Sequence, residues 1–233
     1  MSQNYPIIVS FSGVDGAGKT TQIDALLIHL KETSTPCRLF TFWDDVVAFR
    51  TFREQLSLKI FKGDKGVGSP EKPIRRRDKN VTSWYAMAAR LVLYALDALN
   101  LRLFIRRLRD QRGFVIFDRF LYDELANLPL GHRIIRWYVQ LLLKLAPAPE
   151  LALLLDADPE SAAMRKPEYP LEFVYRNRAS YMAMARLAHM IVIPPGPADE
   201  TAAAIRNLVD AKGLQLPKRI PHKLGSTLLS GGH

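Results

Sequence analysis

The chain has 233 residues, of which 48% are hydrophobic and 24% charged, and this composition excludes a disordered, collagen-like or repeat-built protein. Its formal net charge is +10, but most of the surplus lies in two segments: residues 62–79 hold seven basic and three acidic side chains, and residues 211–233 hold four basic and no acidic ones. The rest of the chain is close to neutral, which disfavours a broad nucleic-acid-binding surface and suits small anions better.

Five short apolar runs predict β-strands, and longer runs with helical periodicity separate them. The predicted strands cover Ile7–Ser12, 38–42, Phe114–Asp118, 151–156 and 190–193. The predicted helices cover Lys19–Glu32, 47–61, 82–110, 131–145, 173–189 and 200–212. The strand runs are almost continuously hydrophobic, as expected for strands that are covered on both faces. The alternation predicts an α/β protein with a parallel sheet, helices on both faces, and ligands at the carboxyl ends of the strands.

Two segments interrupt this pattern. Residues 62–80 combine glycines, prolines and charged residues and predict a mobile basic loop, whereas residues 214–233 predict a flexible basic tail. Neither segment is followed by a second set of core-forming runs. We therefore expect a single domain over residues 1–213.

The expected cellular location of the protein and the expected classes of binding partner follow from features that the sequence lacks. The single cysteine, Cys37, excludes an internal disulfide and a Cys-rich metal site. The N-terminus lacks the basic and apolar regions of a signal peptide, and the most apolar long segment, 88–104, is interrupted by charged residues. We expect a cytoplasmic protein with no membrane and no nucleic-acid partner.

A glycine-rich loop between the first strand and the first helix carries the strongest motif. Residues 13–20 read GVDGAGKT and match G-x-x-x-x-G-K-[ST] in the required strand–loop–helix context. Glycines let successive backbone N–H groups face phosphate oxygens, and the helix N-terminus adds its positive dipole end. Lys19 is then expected to reach the β- and γ-phosphates, and the hydroxyl of Thr20 to bind Mg²⁺. The predicted phosphate-binding residues are Gly13, Asp15, Gly16, Ala17, Gly18, Lys19, Thr20 and Thr21.

The third predicted strand ends in Asp118, and Arg119 follows it directly. A carboxylate at the end of the strand beside the phosphate loop is a ligand for Mg²⁺, so we assign the metal to Thr20 and Asp118. An arginine grips phosphate with two parallel hydrogen bonds, which a phosphoryl-transfer enzyme needs for the phosphate of its acceptor. The structural alternatives are a helix N-cap for Asp118 and a surface ion pair for Arg119.

Four motifs in this order resemble the thymidylate kinase family of nucleoside monophosphate kinases. They are FSGVDGAGKTTQ at 11–22, FDRF at 117–120, LDADPE at 155–160, and F-x-x-R-x-R-x-x-Y from Phe173 to Tyr181. The resemblance implies a three-layer P-loop kinase fold with a five-stranded parallel sheet, ATP as the donor, and Mg²⁺ as the metal. It implies transfer of the γ-phosphate to a nucleoside monophosphate, most directly dTMP to dTDP. It also suggests a homodimer and a short lid over residues 163–180.

The matching motifs give individual residues their expected roles. By this resemblance Asp15 lies near the acceptor sugar, Asp118 and Arg119 lie at the metal and the acceptor phosphate, and Arg165 is the lid arginine on the ATP side. The residues that we expect to be catalytic are Lys19, Asp118, Arg119 and Arg165.

The acceptor side departs from the family pattern. FWDDV at 42–46 stands where the family has R-E-P-G, and Asp123 stands where the family has a serine. Arg53, or Arg50 before it, corresponds to the family's acceptor-phosphate arginine, and we favour Arg53. Tyr94 is the aromatic residue that we align with the base-reading segment. The expected acceptor-binding residues are Asp15, Asp44, Arg53, Tyr94, Arg119 and Asp123.

Asp44 and Asp45 leave a second function open. A hydroxyl acceptor needs a carboxylate to take its proton, whereas a monophosphate, with a second pKa of about 6, is already a nucleophile near neutral pH. The two aspartates follow the second strand, in the region where such a base would lie. A deoxynucleoside or other small-molecule kinase is therefore the alternative, and a P-loop ATPase switch is a third reading.

Overall fold

The computed structural model describes residues 6–47, 84–167 and 169–213. Within these ranges the strands are β1 (Ile7–Ser12), β2 (Cys37–Thr41), β3 (Phe114–Asp118), β4 (Leu151–Leu155) and β5 (Ile191–Ile193). The helices are α1 (Lys19–Glu32), α2 (Trp84–Arg107), α3 (Leu121–Leu125), α4 (Arg133–Leu145), α5 (Pro159–Arg165), α6 (Leu171–Ala188) and α7 (Ala198–Gly213). A π-helical turn covers Phe42–Val46.

The strands form one parallel sheet in the order β2-β3-β1-β4-β5. The central strand is β1, and its residue Phe11 pairs with Asp118 on β3 and Leu153 on β4. Because all strands run the same way, the phosphate loop after β1, the end of β3 and the segment after β4 meet at one edge. The predicted α/β fold with a five-stranded parallel sheet is confirmed.

Helices cover both faces of the sheet, because the strand side chains alternate between two cores. On one face Val9 and Phe11 of β1 pack with Ile23 of α1 and Ile205 of α7. On the other face Ile8 packs in a larger core that includes residues of α2, α3, α4 and α6. Both faces of β1 are fully covered, which explains why its sequence is continuously apolar instead of alternating.

Most predicted elements are present with shifted ends. The second strand begins at Cys37, one residue before its predicted start. The long helix α2 ends at Arg107, because residues 108–110 form a turn before β3. Most of the predicted helix 47–61, the whole basic loop 62–80 and the tail 214–233 lie outside the described residues, so these assignments and the single-domain boundary stay predictions.

None of the helices within the described ranges combines the length and the apolar character that a membrane crossing requires. The longest of them, α2, has charged side chains in its last turn, at Arg106 and Arg107.

Gly113, just before β3, generates a stability prediction. Its φ is +93°, and a Cβ at this position would lie 2.0 Å from the carbonyl oxygen of Pro36. That carbonyl accepts the N–H of Phe114 at 2.9 Å, so it is held in place. We expect Gly113→Ala to lower the free energy of unfolding by about 2–3 kcal/mol. Gly131→Ala is the matched control, because a Cβ there meets no atom within 4 Å; equal stability of the two variants in urea unfolding would contradict the prediction.

Candidate active site

The glycine-rich loop of residues 13–20, the phosphate loop of the sequence prediction, packs so closely that it requires glycine. Gly16 has a φ of +85°, and a Cβ on it would lie 2.6 Å from the carbonyl oxygen of Ala162 on α5. The N–H of Ala17 donates to the carbonyl oxygen of Val14 at 3.1 Å, which closes the turn. The loop therefore packs directly against α5, and its shape depends on the absence of side chains at these points.

Lys19 lies across this loop with little exposure. Its Nζ donates to the carbonyl oxygens of Gly13 at 2.9 Å and Val14 at 3.0 Å, and the residue is only 8% exposed. Burial, with a smaller contribution from the positive charge of Arg119, lowers the pKa of Lys19 to about 8. A buried ammonium group of this kind gains strongly from an anionic phosphate beside it.

Arg119 is held in an unusual backbone conformation next to the loop. Its φ is +65°, and its backbone N–H donates to the carbonyl oxygen of Phe11 at 3.0 Å. Its guanidinium donates to the carboxylate of Asp15 and lies 3.7 Å from Oδ1 of Asp123. Burial lowers the pKa of Arg119, but the carboxylates of Asp123 and Asp15 outweigh this effect and hold it above its usual range. The guanidinium is thus a fixed, permanently charged group.

Asp123 joins three parts of the site through its carboxylate. Oδ2 accepts the hydroxyl of Ser12 at 2.6 Å and the backbone N–H of Phe120 at 2.9 Å, and Oδ1 accepts the hydroxyl of Tyr181 at 2.8 Å. Asp123 is buried, and so is Tyr181, whose pKa is raised well above its usual value first by burial and then by the charge of Asp123. The end of β1, the start of α3 and the middle of α6 are therefore tied to one carboxylate beside Arg119.

Asp118 and Thr20 are compatible with the predicted metal role. Asp118 ends β3 in register with Phe11 of β1, it is only partly buried, and its charge acts on Lys19. Thr20 is exposed at the start of α1. A carboxylate and a hydroxyl are the oxygen donors that Mg²⁺ prefers, so these two side chains suit the ion by their chemistry.

The segment after β4 brings a second arginine–aspartate pair to the same edge of the sheet. Arg178 on α6 donates from both Nε and Nη2 to Asp156, each at 2.6 Å, and this bonding raises the pKa of Arg178. Asp158 caps α5 by accepting the N–H of Ser161 at 2.9 Å. The predicted lid residue Arg165 is exposed in the last turn of α5, where its Nε donates to the carbonyl oxygen of Ser161 at 3.1 Å.

The other predicted acceptor-side residues lie in the turn after β2, in the larger core, or outside the described residues. Asp44 and Asp45 lie exposed in the π-helical turn after β2, and Asp45 accepts the backbone N–H of Thr41 at 2.7 Å. Tyr94 is only 5% exposed and packs in the larger core. Its base-stacking role stays a prediction. Arg53 lies outside the described residues, as does Arg50, and the part of Arg53 in acceptor binding also stays a prediction.

The structure adds residues that sequence analysis left without a role. Ser12 and Tyr181 hold Asp123, and Arg178 holds Asp156. Tyr181 and Arg178 belong to a motif that the sequence resemblance contains, but their partners lie 58 and 22 residues away. Ser12 carried no signal beyond its place at the end of a strand.

The sequence is similar to curated thymidylate kinases over most of its length. It is 27% identical over 190 residues to the thymidylate kinase of Chlorobium chlorochromatii. The aligned region covers 78% of this chain and 76% of that protein. It is 25% identical over 202 residues to a probable thymidylate kinase of Staphylothermus marinus. Here the aligned region covers 83% of this chain and 88% of that protein. No protein-family model matches the sequence.

Solved thymidylate kinases share the fold. The structure from Candida albicans superposes with a TM-score of 0.58 at 18% identity, over 91% of this chain and 94% of that one. The structure from Ehrlichia chaffeensis gives a TM-score of 0.54 at 18% identity, over 88% of this chain and 99% of that one. The predicted resemblance to thymidylate kinases and the predicted P-loop kinase fold are confirmed.

The pKa of Lys19 generates a pH prediction. Because the ammonium form of Lys19 attracts phosphate and its pKa is about 8, we expect ATP to bind more weakly as the pH rises through this value. Above about pH 8, affinity should fall by up to about tenfold per pH unit, since each ATP bound must then bring one proton with it. Calorimetric titrations between about pH 7.5 and 9.5, where the phosphates are already ionised, measure this slope.

Lys19→Arg is the control for this measurement, because a guanidinium stays charged over the whole range. The variant should show an affinity that no longer varies with pH. A wild-type affinity that is equally flat would contradict the assigned contact between Lys19 and the phosphates.

Proposed function

We propose that this chain, a member of the thymidylate kinase family, transfers the γ-phosphoryl group of ATP to a nucleoside monophosphate, with dTMP as the first acceptor. Sequence relatives that are named thymidylate kinases support this proposal. The observation that carries it is the pair of fixed cations at one edge of the sheet. Lys19 lies on the phosphate loop, and Arg119 lies beside it between the carboxylates of Asp15 and Asp123.

This pair suits transfer between two bound phosphates. Lys19 suits the β- and γ-phosphates of the donor, and Arg119 adds a second anchored cation at the same edge, where the phosphate of an acceptor would lie. Arg119 presents a planar guanidinium that stays charged, and such a group orients a phosphate by two parallel bonds. The two cations would hold donor and acceptor phosphates end to end, and most of the catalysis would come from this positioning.

No protein base is needed for the proposed reaction. The acceptor monophosphate is ionised near neutral pH; its oxygen would attack the γ-phosphorus while the bond from that phosphorus to the β,γ-bridging oxygen breaks, and ADP would leave. When Mg²⁺ is bound by Thr20 and Asp118, it supplies charge neutralisation for the phosphates. Arg165 on the lid side would cover the ATP phosphates, and closure of this region would keep water from the γ-phosphate.

The alternative acceptor, a hydroxyl group, is not favoured. It requires Asp44 or Asp45 as the base, but Asp45 accepts the backbone N–H of Thr41 and thereby stabilises the turn after β2. The curated relatives are named for a monophosphate substrate, which also points away from a nucleoside acceptor.

The proposed function generates a prediction about the acceptor. With ATP and Mg²⁺, we expect ADP release that depends on dTMP and is much slower with thymidine or with no acceptor. Arg119→Met should lower kcat/KM for dTMP by at least about 100-fold, since it removes a fixed donor from the transferring phosphates, while the Kd of ATP changes little. A coupled ADP assay against a panel of monophosphates and free nucleosides measures both effects.

Arg186→Met is the matched control for this assay, because Arg186 is an exposed arginine in the last turn of α6. It should keep wild-type rates. Faster ADP release with thymidine than with dTMP, or undiminished transfer by Arg119→Met, would overturn the proposal.

We also propose that the chain forms a homodimer through an apolar face on α2 and α4. These helices pack side by side, since the hydroxyl of Tyr138 donates to the carbonyl oxygen of Leu91. Together they expose six large apolar side chains: Val92, Leu99, Leu103, Ile134, Trp137 and Leu141. Ile134 is 79% exposed and Trp137 is 65% exposed, and an exposed patch of this kind usually marks an interface.

The dimer proposal predicts the effect of a single charge on the apolar face. Trp137→Glu should convert a species of twice the chain mass into one of the chain mass, because a buried unpaired carboxylate is costly in an interface. Ile28→Glu is the control, since Ile28 is also an exposed apolar residue but lies on α1, outside this face. Light scattering after size-exclusion chromatography measures the mass; a monomeric wild-type protein would contradict the proposal.

A further inference from the structure

A groove of about 650 Å³ lies between the C-terminal parts of α2 and α4. Four cationic and four apolar residues line this basic groove: Arg102, Arg106, Arg109 and Lys144, and Ile105, Leu145, Ala146 and Pro147. None of its lining residues within the described chain is acidic.

The basic groove lies at the opposite edge of the sheet from the candidate active site. The helix α2 ends before β3 begins, and α4 ends before β4 begins. The phosphate loop, by contrast, follows the end of β1. A strand of five residues spans on the order of 16 Å, so a ligand in the groove would not contact Lys19 or Arg119.

Helix capping accounts for only part of the positive charge. The C-terminal ends of two helices offer a total negative charge of about one unit, which is less than the charge of Arg102, Arg106 and Lys144 together. Arg102 uses one of its donors on the carbonyl oxygen of Leu145, at 3.1 Å, which leaves further N–H groups on that side chain. Arg102 and Arg106 also lie one helical turn apart, where like charges repel. An anion between these cations would relieve the repulsion.

The size and the lining of the groove indicate the class of anion. Its volume is in the range of small-molecule sites and well above the need of a single phosphate ion. One arginine can bind a phosphate group with two parallel hydrogen bonds. The apolar side of the groove, formed by Ile105, Leu145 and Pro147, suits a non-polar part of the molecule that carries the phosphate. We propose that the basic groove binds the pyrophosphate group of a small organic phosphate, as a second anion site separate from the phosphate loop.

Titration calorimetry with inorganic pyrophosphate tests this site. We expect two binding events on the wild-type protein, one at the phosphate loop and one at the basic groove. Lys19→Ala should remove only the first event, and Arg106→Glu should weaken only the second by at least about tenfold, the loss of one charge-assisted contact. Because the two variants affect different events, failure of the groove is distinguishable from failure of the proposed kinase site.

Arg136→Glu provides the matched control, because Arg136 is an exposed arginine of α4 that does not line the groove. It should bind pyrophosphate as the wild type does. Arg106→Gln, which removes the charge without reversing it, repeats the test if the glutamate variant melts early. Three outcomes would overturn the proposal. Lys19→Ala could lose all binding of pyrophosphate, or Arg136→Glu could weaken the second event as much as Arg106→Glu does. The third outcome is a protein that binds no pyrophosphate at the groove and binds only to vesicles of phosphatidylcholine with phosphatidylserine.

Discussion

The buried carboxylate of Asp123 is the interaction on which the arrangement of the site depends. A buried charge is costly unless it is paired and hydrogen-bonded. Here the cost is offset by the hydroxyls of Ser12 and Tyr181, the N–H of Phe120, and the nearby guanidinium of Arg119. These groups come from β1, α3 and α6, so the carboxylate fixes three elements of the fold against one another.

Arg119 gains its position from this network. A non-glycine residue with positive φ costs of order 1–3 kcal/mol and persists only where its surroundings determine it. At Arg119 the backbone is fixed by Phe11, and the side chain lies between Asp15 and Asp123. The same carboxylates act on Lys19, so the donor-side and acceptor-side cations share one electrostatic environment. The positioning of two phosphates end to end that we propose would therefore follow from the packing of buried polar groups.

Much of the fold and the position of the glycine-rich loop could be predicted from the sequence, because their signals are local. Continuous apolar runs predict the strands, and the phosphate loop is a contiguous motif that stands directly between a predicted strand and a predicted helix. The Asp118–Arg119 pair stands out in the sequence for the same reason, and its roles at the metal and the acceptor phosphate stay predictions. The contacts of Asp123 could not be found in this way, since Ser12 and Tyr181 lie 111 and 58 residues away along the chain.

The acceptor side shows what local patterns leave open. The spacing of Tyr94 marks one face of a helix, but only the packing of α2 decides that this side chain is 5% exposed. Asp123 was expected at the acceptor because it stands where the resembled family has a serine, whereas both of its oxygens accept hydrogen bonds within the protein. Its effect on an acceptor would therefore be exerted through Arg119, as a positioning residue.

The most direct measurement of this account is the steady-state kinetics of Asp123→Asn and Tyr181→Phe with dTMP as the varied substrate, beside the Kd of ATP for the same proteins. We predict that kcat/KM for dTMP falls by about tenfold or more in each variant, the loss of one hydrogen bond to a charged group, while ATP binds no more weakly than to the wild type. Folded variants that keep wild-type kcat/KM for dTMP would contradict the claim that Asp123 holds Arg119 in its working position.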